Sequence, residues 1–430
     1  MAGVNCGTKE HQERIRQLKA EYQKYKERGL KLDMSRGKPG PDQLDLSLGL
    51  LDCVNARDGY ITEDGVDTRN YGCLDGISKA KTLFAEILEM DKSQIIVGGN
   101  SSLNMMFDFI AMAYSHGLPL CEPWSKQGEI KFLCPSPGYD RHFAITEYFG
   151  FKLIPVDMTP YGPDMDQVEH YALDPLVKGI WCVPVYSNPE GITYSDETVR
   201  RFASLKTAAP DFVIMWDNAY CLHHLTDNAD KILNLYNEAA ACGNQNRVVT
   251  FVSTSKISFP GAGVAAMGAS PEVINEVRRR MSFQTIGYDK INMLRHVRFF
   301  RDYKGICEHM KLHAAVLRPK FDVVLSLLEK NLGGKGIASW NNPRGGYFVS
   351  VNLLDGCAAK TVRLLSDAGV VMTPAGATYP YGIDPRDRNI RIAPTYPPIT
   401  ELQMAMELFC ICAELVCLES LNNNNSSDQY

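Results

Sequence analysis

Four polar side chains of different chemical types follow apolar runs in the middle of the chain. The first is an amide, Asn188 in the segment Asn-Pro-Glu-Gly, and the last is an amine, Lys256 in Ser-Thr-Ser-Lys. Between them lie a carboxylate, Asp217, and a phenol, Tyr220, in the segment Asp-Asn-Ala-Tyr. Each segment alone is typical of an ordinary turn or strand end. Together they predict a site for a phosphorylated aromatic aldehyde.

The amine and the carboxylate have definite chemical tasks in such a site. A lysine amine that is desolvated, or that lies near other cations, loses its proton more easily and can form a Schiff base with an aldehyde. A carboxylate that faces a pyridine nitrogen keeps that nitrogen protonated, and the ring then accepts an electron pair. Lys256 and Asp217 are therefore candidate catalytic residues.

A phosphate-binding turn is predicted upstream of these side chains. The apolar run 95–97 is followed by Gly98-Gly99-Asn100-Ser101-Ser102, which opens a helical pattern. Small residues let backbone N–H groups approach an anion, and the N-terminus of a helix favours negative charge. Taken alone, the segment is more simply explained by an ordinary turn with an N-cap.

The elements that must position these residues alternate along the chain. Helical patterns separate short apolar runs at 95–97, 131–134, 151–156, 180–185, 212–216 and 248–252. Strands without internal alternation, separated by helices, predict a mostly parallel sheet covered on both faces. Ligands bind beyond the carboxyl ends of the strands in such sheets, where the polar side chains described above are found.

The two ends of the chain follow other patterns. An amphipathic helix is predicted over 9–28 and an extended connector over 33–60. Towards the C-terminus we predict a long charged helix over 289–328 with possible breaks, strands at 345–351 and 390–393, a helix near 360–368, and a last helix after Pro397-Pro398. The polar tail 422–430 is predicted to be disordered.

Composition excludes several classes of protein. The chain has 430 residues, more than one compact core usually holds, and a net charge of −5, which excludes a globally basic nucleic-acid binder. With 45% hydrophobic and 22% charged residues it is not a disordered chain. We find no signal-peptide run and no stretch apolar enough to span a membrane. The 13 cysteines include no Cys-x-x-Cys pair, so we expect free thiols in the cytoplasm.

The ordered set Asn-Pro-x-Gly, Asp-x-Ala-Tyr and Ser-x-Ser-Lys resembles the fold type I, class I aminotransferases, which use pyridoxal phosphate. The segments at 35–39, Ser-Arg-Gly-Lys-Pro, and 99–103, Gly-Asn-Ser-Ser-Leu, resemble a bacterial-type aspartate aminotransferase subgroup. The resemblance implies an α/β fold with a three-layer, mostly parallel large domain and a smaller α+β domain. The large domain would span 63–295, and the small domain would combine 1–62 with 296–421, followed by the tail 422–430.

The resemblance also implies roles for individual residues. Lys256 would be the Schiff-base lysine that shuttles the substrate α-proton, and Asp217 would pair with the pyridine nitrogen. The other cofactor-binding residues would be Asn188 and Tyr220 at the phenolic oxygen, Tyr139 stacked on the ring, and Gly99, Asn100, Ser101, Ser253 and Ser255 at the phosphate. Tyr220 would also be a catalytic residue, together with Lys256 and Asp217. Substrate would contact Arg391, which would clamp its α-carboxylate, and Arg36, Gly37 and Asn188. Tyr139 could instead be a packed core aromatic, and Arg391 a surface strand residue.

Tyr71, in Asn-Tyr-Gly, matches the tyrosine that reaches the phosphate of the neighbouring subunit in this family. The resemblance therefore implies a homodimer with shared active sites. Tyr71 could also be a simple turn residue. Amino acids and 2-oxo acids would be the other partners, with no nucleic acid, membrane or metal.

Two features depart from the family pattern. A phosphate-binding arginine usually follows the lysine, but the loop 261–264, Gly-Ala-Gly-Val, contains no cation. The arginine that reads a distal carboxylate should fall near 280–284, where the alternatives are Arg280 and the uncharged segment Met281-Ser282-Phe283. Our hypothesis is that Arg36 reads the distal carboxylate.

The activity implied by the resemblance is a ping-pong transfer of an amino group from an L-amino acid, with aspartate favoured, to a 2-oxo acid, with 2-oxoglutarate favoured. The alternatives are an aminotransferase for alanine or an aromatic amino acid, or a pyridoxal-phosphate lyase or decarboxylase on the same fold. A transcription regulator would need a DNA-binding domain that the 30 or so residues before the connector do not provide.

Three other motifs have simpler explanations. The segment 261–266 matches a dinucleotide fingerprint only nominally, because no strand precedes it. His309 and His313 are one helical turn apart but have no third metal ligand, so we expect packed or solvated histidines. The three arginines at 278–280 are expected to form a charged helix end.

Overall fold

The computed structural model describes residues 8–35 and 37–427. Its α-helices, numbered α1 to α13 in chain order, are Thr8–Glu27, Pro41–Leu44, Ser78–Leu88, Ser102–His116, Asp140–Tyr148, Met165–Tyr171, Asp196–Ala203, Leu235–Ala241, Pro271–Gln284, Lys290–Phe300, Tyr303–Leu332, Ala358–Asp367 and Ile399–Ser427. Its β-strands, numbered β1 to β13, are Leu32–Met34, Ile95–Gly98, Lys131–Ser136, Lys152–Thr159, Gly162–Pro163, Val177–Cys182, Val213–Asp217, Val248–Ser253, Ala265–Gly268, Ala338–Trp340, Val349–Leu353, Val370–Met372 and Asn389–Ile392. In this part of the chain no helix combines the length and apolar character of a membrane span.

An eight-stranded sheet forms the centre of the large domain, in the order β2-β9-β8-β7-β6-β3-β4-β5. Neighbours from β8 to β4 pair in parallel, whereas β9 is antiparallel to both β2 and β8. Every residue of β6 and β7 is buried, as expected for strands covered by helices on both faces. The predicted mostly parallel, three-layer sheet is confirmed.

The parallel strands direct their carboxyl ends to one edge of the sheet. Strand β7 ends at Asp217, which lies opposite Phe251 of β8, two residues before β8 ends at Ser253. The chain leaves β3 towards Tyr139 and β6 towards Asn188. Parallel pairing therefore brings segments that are far apart in sequence to one edge.

Both ends of the chain build the smaller α+β domain, as the resemblance implied. Strand β1, near the N-terminus, pairs in parallel with β12, with Leu32 opposite Val370. A second sheet has the antiparallel order β10-β11-β13. Helices α1, α11 and α12 pack against α13, and Leu18 of α1 is fully buried against this last helix. The exact domain boundaries stay a prediction.

Three elements differ from the expected ones. The charged helix predicted over 289–328 is two helices, because Arg301 adopts a positive φ of 69° and Asp302 caps α11 by accepting from the Gly305 N–H at 2.8 Å. The strand predicted at 345–351 begins only at Val349, since Gly345 packs tightly against the Tyr186 ring. Helix α13 continues to Ser427, so the prediction of disorder is wrong for residues 422–427. Residues 428–430 lie outside the described residues.

Candidate active site

Lys256 lies in a tight turn after β8. The Ile257 and Ser258 N–H groups both donate to the Thr254 carbonyl, at 2.9 and 2.8 Å. The hydroxyls of Thr254 and Ser258 lie 3.0 and 2.8 Å from Nε2 of the buried His296. These bonds fix the turn that carries the amine.

The environment of Lys256 favours its neutral amine. Burial lowers the pKa of Lys256, the Asp217 charge opposes this change, and the Arg391 charge adds to it. Its Nζ lies 4.9 Å from the centre of the Tyr220 ring and 5.9 Å from that of Tyr347. A lowered pKa is what an amine needs in order to attack an aldehyde at neutral pH.

Asp217 is held by a histidine that sequence reasoning missed. The Nε2 atom of His142 lies 3.0 Å from Oδ2 of Asp217, and both side chains are buried. The imidazole stacks on the Trp181 ring, with ring centres 4.5 Å apart. Oδ1 of Asp217 is buried and has no hydrogen-bond partner among the described residues. Because an unpaired buried acceptor is costly, this oxygen is suited to an N–H group of a ligand.

Two phenols border the same space. Burial, and then the Asp217 charge, raise the pKa of Tyr139 to about 12. Burial raises the pKa of Tyr220 further above its ordinary value, with Tyr139 and Asp217 adding to the effect. Both phenols therefore keep their protons at neutral pH and can donate hydrogen bonds. Tyr139 lies in the turn between β3 and α5, beside His142.

The predicted phosphate residues form a polar cradle at the start of α4. The Ser101 hydroxyl caps this helix and accepts from the Leu103 N–H at 3.2 Å. Ser255 donates from Oγ to the Asn100 carbonyl at 3.0 Å, and Ser253 donates to Ser255 at 3.1 Å. Two segments separated by more than 150 residues in the sequence are thus joined at a helix N-terminus, which favours an anion.

The glycine-rich loop closes one side of this cradle. A Cβ on Gly263 would lie 3.0 Å from the Asn100 carbonyl oxygen and 3.2 Å from the Ser255 backbone, so the close approach depends on glycine. The Asn292 amide holds the loop by donating to the carbonyls of Ala262 and Gly263, at 2.9 and 3.0 Å. The segment leads into the antiparallel strand β9 and not into a helix, which does not fit a dinucleotide site.

Arg391 lies on β13 with its side chain 7% exposed. Its Nη1 atom lies 3.1 Å from Oδ1 of Asp140 and 3.1 Å from Oδ1 of Asn188. The guanidinium stands over the Phe348 ring, 4.9 Å from its centre. Nε is buried without a hydrogen-bond partner in the described part of the chain. This donor is available for the carboxylate of a ligand.

The connector reaches the same region. Gly37 packs so tightly on the Phe348 ring that a Cβ would clash with it. The Thr373 hydroxyl donates to the Ser35 carbonyl at 2.7 Å and lies 3.5 Å from Nη2 of Arg391. Arg36, predicted to bind substrate, lies outside the described residues.

Within the single chain, two of the predicted site residues make no contact with this site that the structure shows. Tyr71 is 80% exposed at the surface. Arg280, one of the two alternatives for the distal-carboxylate position, pairs with Glu276 on its own helix, at 2.8 Å.

His309 and His313 belong to a buried hydrogen-bond network. Their Nε2 atoms lie 3.1 Å apart, Ser47 contacts His309, and the Gln43 amide donates to Nδ1 of His313 at 3.1 Å. Gln43 also donates to the Tyr347 hydroxyl, which donates to the Lys256 carbonyl at 3.4 Å. Over residues 8–35 and 37–427, no cluster of three or more His, Cys, Asp or Glu side chains is suited to a metal ion.

Sequence reasoning missed His142, Asp140 and Phe348. The first two follow Tyr139 within one helical turn, and a histidine at that spacing from a proposed ring-stacking tyrosine is a signal that could have been used. Phe348 offered no comparable signal, because its position depends on the small domain.

The residues present fit pyridoxal phosphate. Lys256 offers an amine for its aldehyde, and Asp217 offers an unpaired carboxylate oxygen for its pyridine N–H. The cradle at Asn100, Ser101 and Ser255 offers hydroxyl and helix N-terminal groups for its phosphate. The three groups meet at one edge of the sheet, as the three ends of that molecule require.

Known proteins are similar to this chain in sequence and in fold. A family model described as aspartate amino-transferase matches residues 7–425. An aspartate aminotransferase of Corynebacterium glutamicum is 42% identical over 407 residues, which are 94% of each chain. The crystal structure of an aspartate transaminase from the same species has a TM-score of 0.94 at 41% identity, covering 96% of this chain and 98% of that chain.

A more distant structure shares the fold alone. An α-aminoadipate aminotransferase from Thermus thermophilus, complexed with N-(5'-phosphopyridoxyl)-L-leucine, has a TM-score of 0.73 at 18% identity, covering 91% of this chain and 94% of that chain. Because the family model spans nearly all of the sequence and the C. glutamicum protein matches along almost the whole chain, the chain belongs to the aspartate aminotransferase family.

Proposed function

We propose that this aminotransferase takes its amino group from L-aspartate and passes it to 2-oxoglutarate in a ping-pong cycle. The donor is supported by the 42% identity to a protein named aspartate aminotransferase. The chemistry is supported most directly by one observation, the unpaired buried oxygen of Asp217 in the same site as the Lys256 amine, whose pKa is lowered.

The cofactor is pyridoxal phosphate, which when bound supplies an aldehyde for amines and a ring that accepts the electron pair left on the substrate Cα. Lys256 Nζ would hold the aldehyde and, once displaced by the incoming amine, would take the proton from the substrate Cα. Its lowered pKa increases the share of neutral amine, which is the form that can act as this base. Asp217 Oδ1 would accept the hydrogen bond of the pyridine N–H.

The other polar groups would orient the cofactor. Tyr139 would stack on the ring, and Tyr220 and Asn188 would donate to its phenolic oxygen. The donor role of Tyr220 is consistent with its raised pKa, since the phenol keeps its proton. The phosphate would bind at the N-terminus of α4, among the cradle residues Gly99, Asn100, Ser101, Ser253 and Ser255.

Substrate would bind on the Arg391 side of the site. The guanidinium would take the α-carboxylate, and Gly37 would line the subsite next to Phe348. Arg36 would read the distal carboxylate. The residue before it, Ser35, accepts a hydrogen bond from the Thr373 hydroxyl, and this hydroxyl also contacts Arg391, which supports the assignment. Arg36→Ala should weaken aspartate binding and leave alanine binding unchanged, and equal losses for both would refute this role.

We also propose a homodimer with shared sites. Three large side chains, Tyr71, Phe283 and Ile286, are exposed on the single chain. The contact of Gly287 with the Gly72 carbonyl places the two segments that carry them side by side. A second copy of the chain would cover these side chains. Tyr71 of each chain would then reach the cofactor phosphate that the other chain binds.

An absorbance titration tests the main proposal. Purified holoenzyme should absorb visible light through the cofactor held by Lys256, and the band should shift with aspartate and reverse with 2-oxoglutarate. The same titration with alanine and phenylalanine tests the other donors, and a shift with these but not with aspartate would refute the substrate assignment. Lys256→Ala should lose multiple turnover, and retained turnover would refute the mechanism.

A further inference from the structure

We propose that Asp140 sets the affinity of the substrate subsite for carboxylates by sharing Arg391 with the substrate's α-carboxylate. The inference rests on the role of Arg391 proposed above and concerns how tightly the subsite holds an acid.

Asp140 is the anion in direct contact with Arg391 among the described residues. Its Oδ1 lies 3.1 Å from Nη1, and the other two contacts of the guanidinium, Asn188 Oδ1 and Thr373 Oγ1, are uncharged acceptors. Arg391 is 7% exposed, so its charge is poorly solvated, whereas Asp140 is 36% exposed at the edge of the site. The carboxylate therefore neutralises a cation that water does not reach well.

The contact leaves two donors of the same guanidinium without a short hydrogen bond. Nη1 is occupied by Asp140 and Asn188, but Nε has no partner and Nη2 has one long contact of 3.5 Å to Thr373. The Nε–Nη2 edge is one of the two edges on which a guanidinium binds a carboxylate through parallel hydrogen bonds. A bound substrate would then place two carboxylates on one cation.

Two like charges on one guanidinium repel each other, so Asp140 weakens carboxylate binding while its hydrogen bond keeps Arg391 in place. The contact also joins the large domain, through the first residue of α5, to strand β13 of the small domain. A ping-pong transaminase releases a 2-oxo acid in one half-reaction and an amino acid in the other. Both products carry a carboxylate that this subsite would hold, and weaker binding speeds their release.

The test separates the charge of Asp140 from its hydrogen bond. Asp140→Asn keeps an acceptor and removes the charge, and Asp140→Ser shortens the side chain as a second variant. The matched control is Glu147→Gln, which makes the same charge change on the exposed face of the same helix. Calorimetry measures the dissociation constant of succinate, an unreactive dicarboxylate, on each holoenzyme.

We expect Asp140→Asn to bind succinate about threefold to tenfold more tightly than the wild type, as for loss of a partly exposed charge contact. The gain should shrink at high salt, and Glu147→Gln should bind like the wild type. The Michaelis constant for aspartate should fall in the same variant without a rise in kcat. The proposal would be overturned if both Asp140 variants bound succinate no more tightly than the wild type, or did not bind it detectably. The amino-acid absorbance titration of the wild type reports on the proposed function independently.

Discussion

A hydrogen bond of 3.0 Å joins His142 Nε2 to Asp217 Oδ2 and leaves the second oxygen of this carboxylate unpaired. The two residues are separated by 75 positions and come from α5 and the end of β7. Because the imidazole is stacked on Trp181, it fixes the plane of the carboxylate. Asp217 is thus oriented before any ligand binds, with one oxygen held and one available.

Asp217→Ala should damage the chemical step more than cofactor binding. Without the carboxylate the pyridine nitrogen loses its proton, and kcat should fall roughly 100-fold or more, as for loss of a buried electrostatic group. Single-turnover kinetics with aspartate and the dissociation constant of pyridoxal phosphate separate the two effects. A fall in affinity with unchanged single-turnover rates would contradict the assignment.

His142→Phe should have a smaller effect of the same kind. The phenyl ring keeps the stacking on Trp181 but cannot donate to Asp217, so kcat should fall about tenfold through loss of one hydrogen bond to a charged group. Addition of Asp217→Ala should then cost less than it does in the wild type, because the two residues act together. Fully additive losses would show that they act separately.

Gly263→Ala should weaken cofactor binding. A Cβ there would press on the Asn100 carbonyl at 3.0 Å and the Ser255 backbone at 3.2 Å, in the cradle. Overpacking of this size should raise the dissociation constant of pyridoxal phosphate about tenfold. The control is Gly261→Ala in the same loop, where a Cβ would meet nothing within 4 Å. Equal affinities of the two variants would place the phosphate elsewhere.

The stability of the protein should depend on His296 in mildly acidic solution. Burial lowers the pKa of His296 to about 4, whereas an unfolded histidine titrates near 6.5. Between these values the unfolded chain binds a proton that the folded chain does not, so acid favours unfolding. The free energy of unfolding should fall by about 3 kcal/mol from this group as the pH drops from about 6.5 to about 4. Urea denaturation of wild type and His296→Gln over this range measures the difference, and parallel curves would contradict the prediction.

Tyr71→Phe should weaken cofactor binding although Tyr71 is exposed on its own chain. In the proposed dimer the lost hydroxyl leaves the partner's phosphate one donor short, which should raise the dissociation constant about tenfold. Tyr148→Phe, at a tyrosine that is 76% exposed, is the control. Light scattering should give twice the mass of one chain, and a monomer with normal cofactor affinity would refute the shared site.

Local sequence was sufficient to identify candidate site residues where a chemically suitable side chain directly follows a predicted strand. Asp217 and Lys256 could be identified because each follows an apolar run, and parallel strands end at one edge. The break between α10 and α11 was harder to place, because it depends on one residue, Arg301, with a positive φ. The continuation of α13 into a polar tail was missed, since asparagine and serine have low helix propensity and the well-packed helix before them overrides it.

The order of residue types along the chain determined the family, the mostly parallel sheet and the identity of the candidate cofactor residues, because these follow from short-range patterns and chemical type. Only the tertiary structure decided that His142 holds Asp217, that Asp140 contacts Arg391, and that the Phe348 ring contacts both Arg391 and Gly37. Each of these contacts joins segments that are far apart in the sequence, and no local pattern specifies which distant side chain fills the remaining space. The distant contacts set the direction in which a carboxylate or a guanidinium points, and that direction is what the chemistry uses.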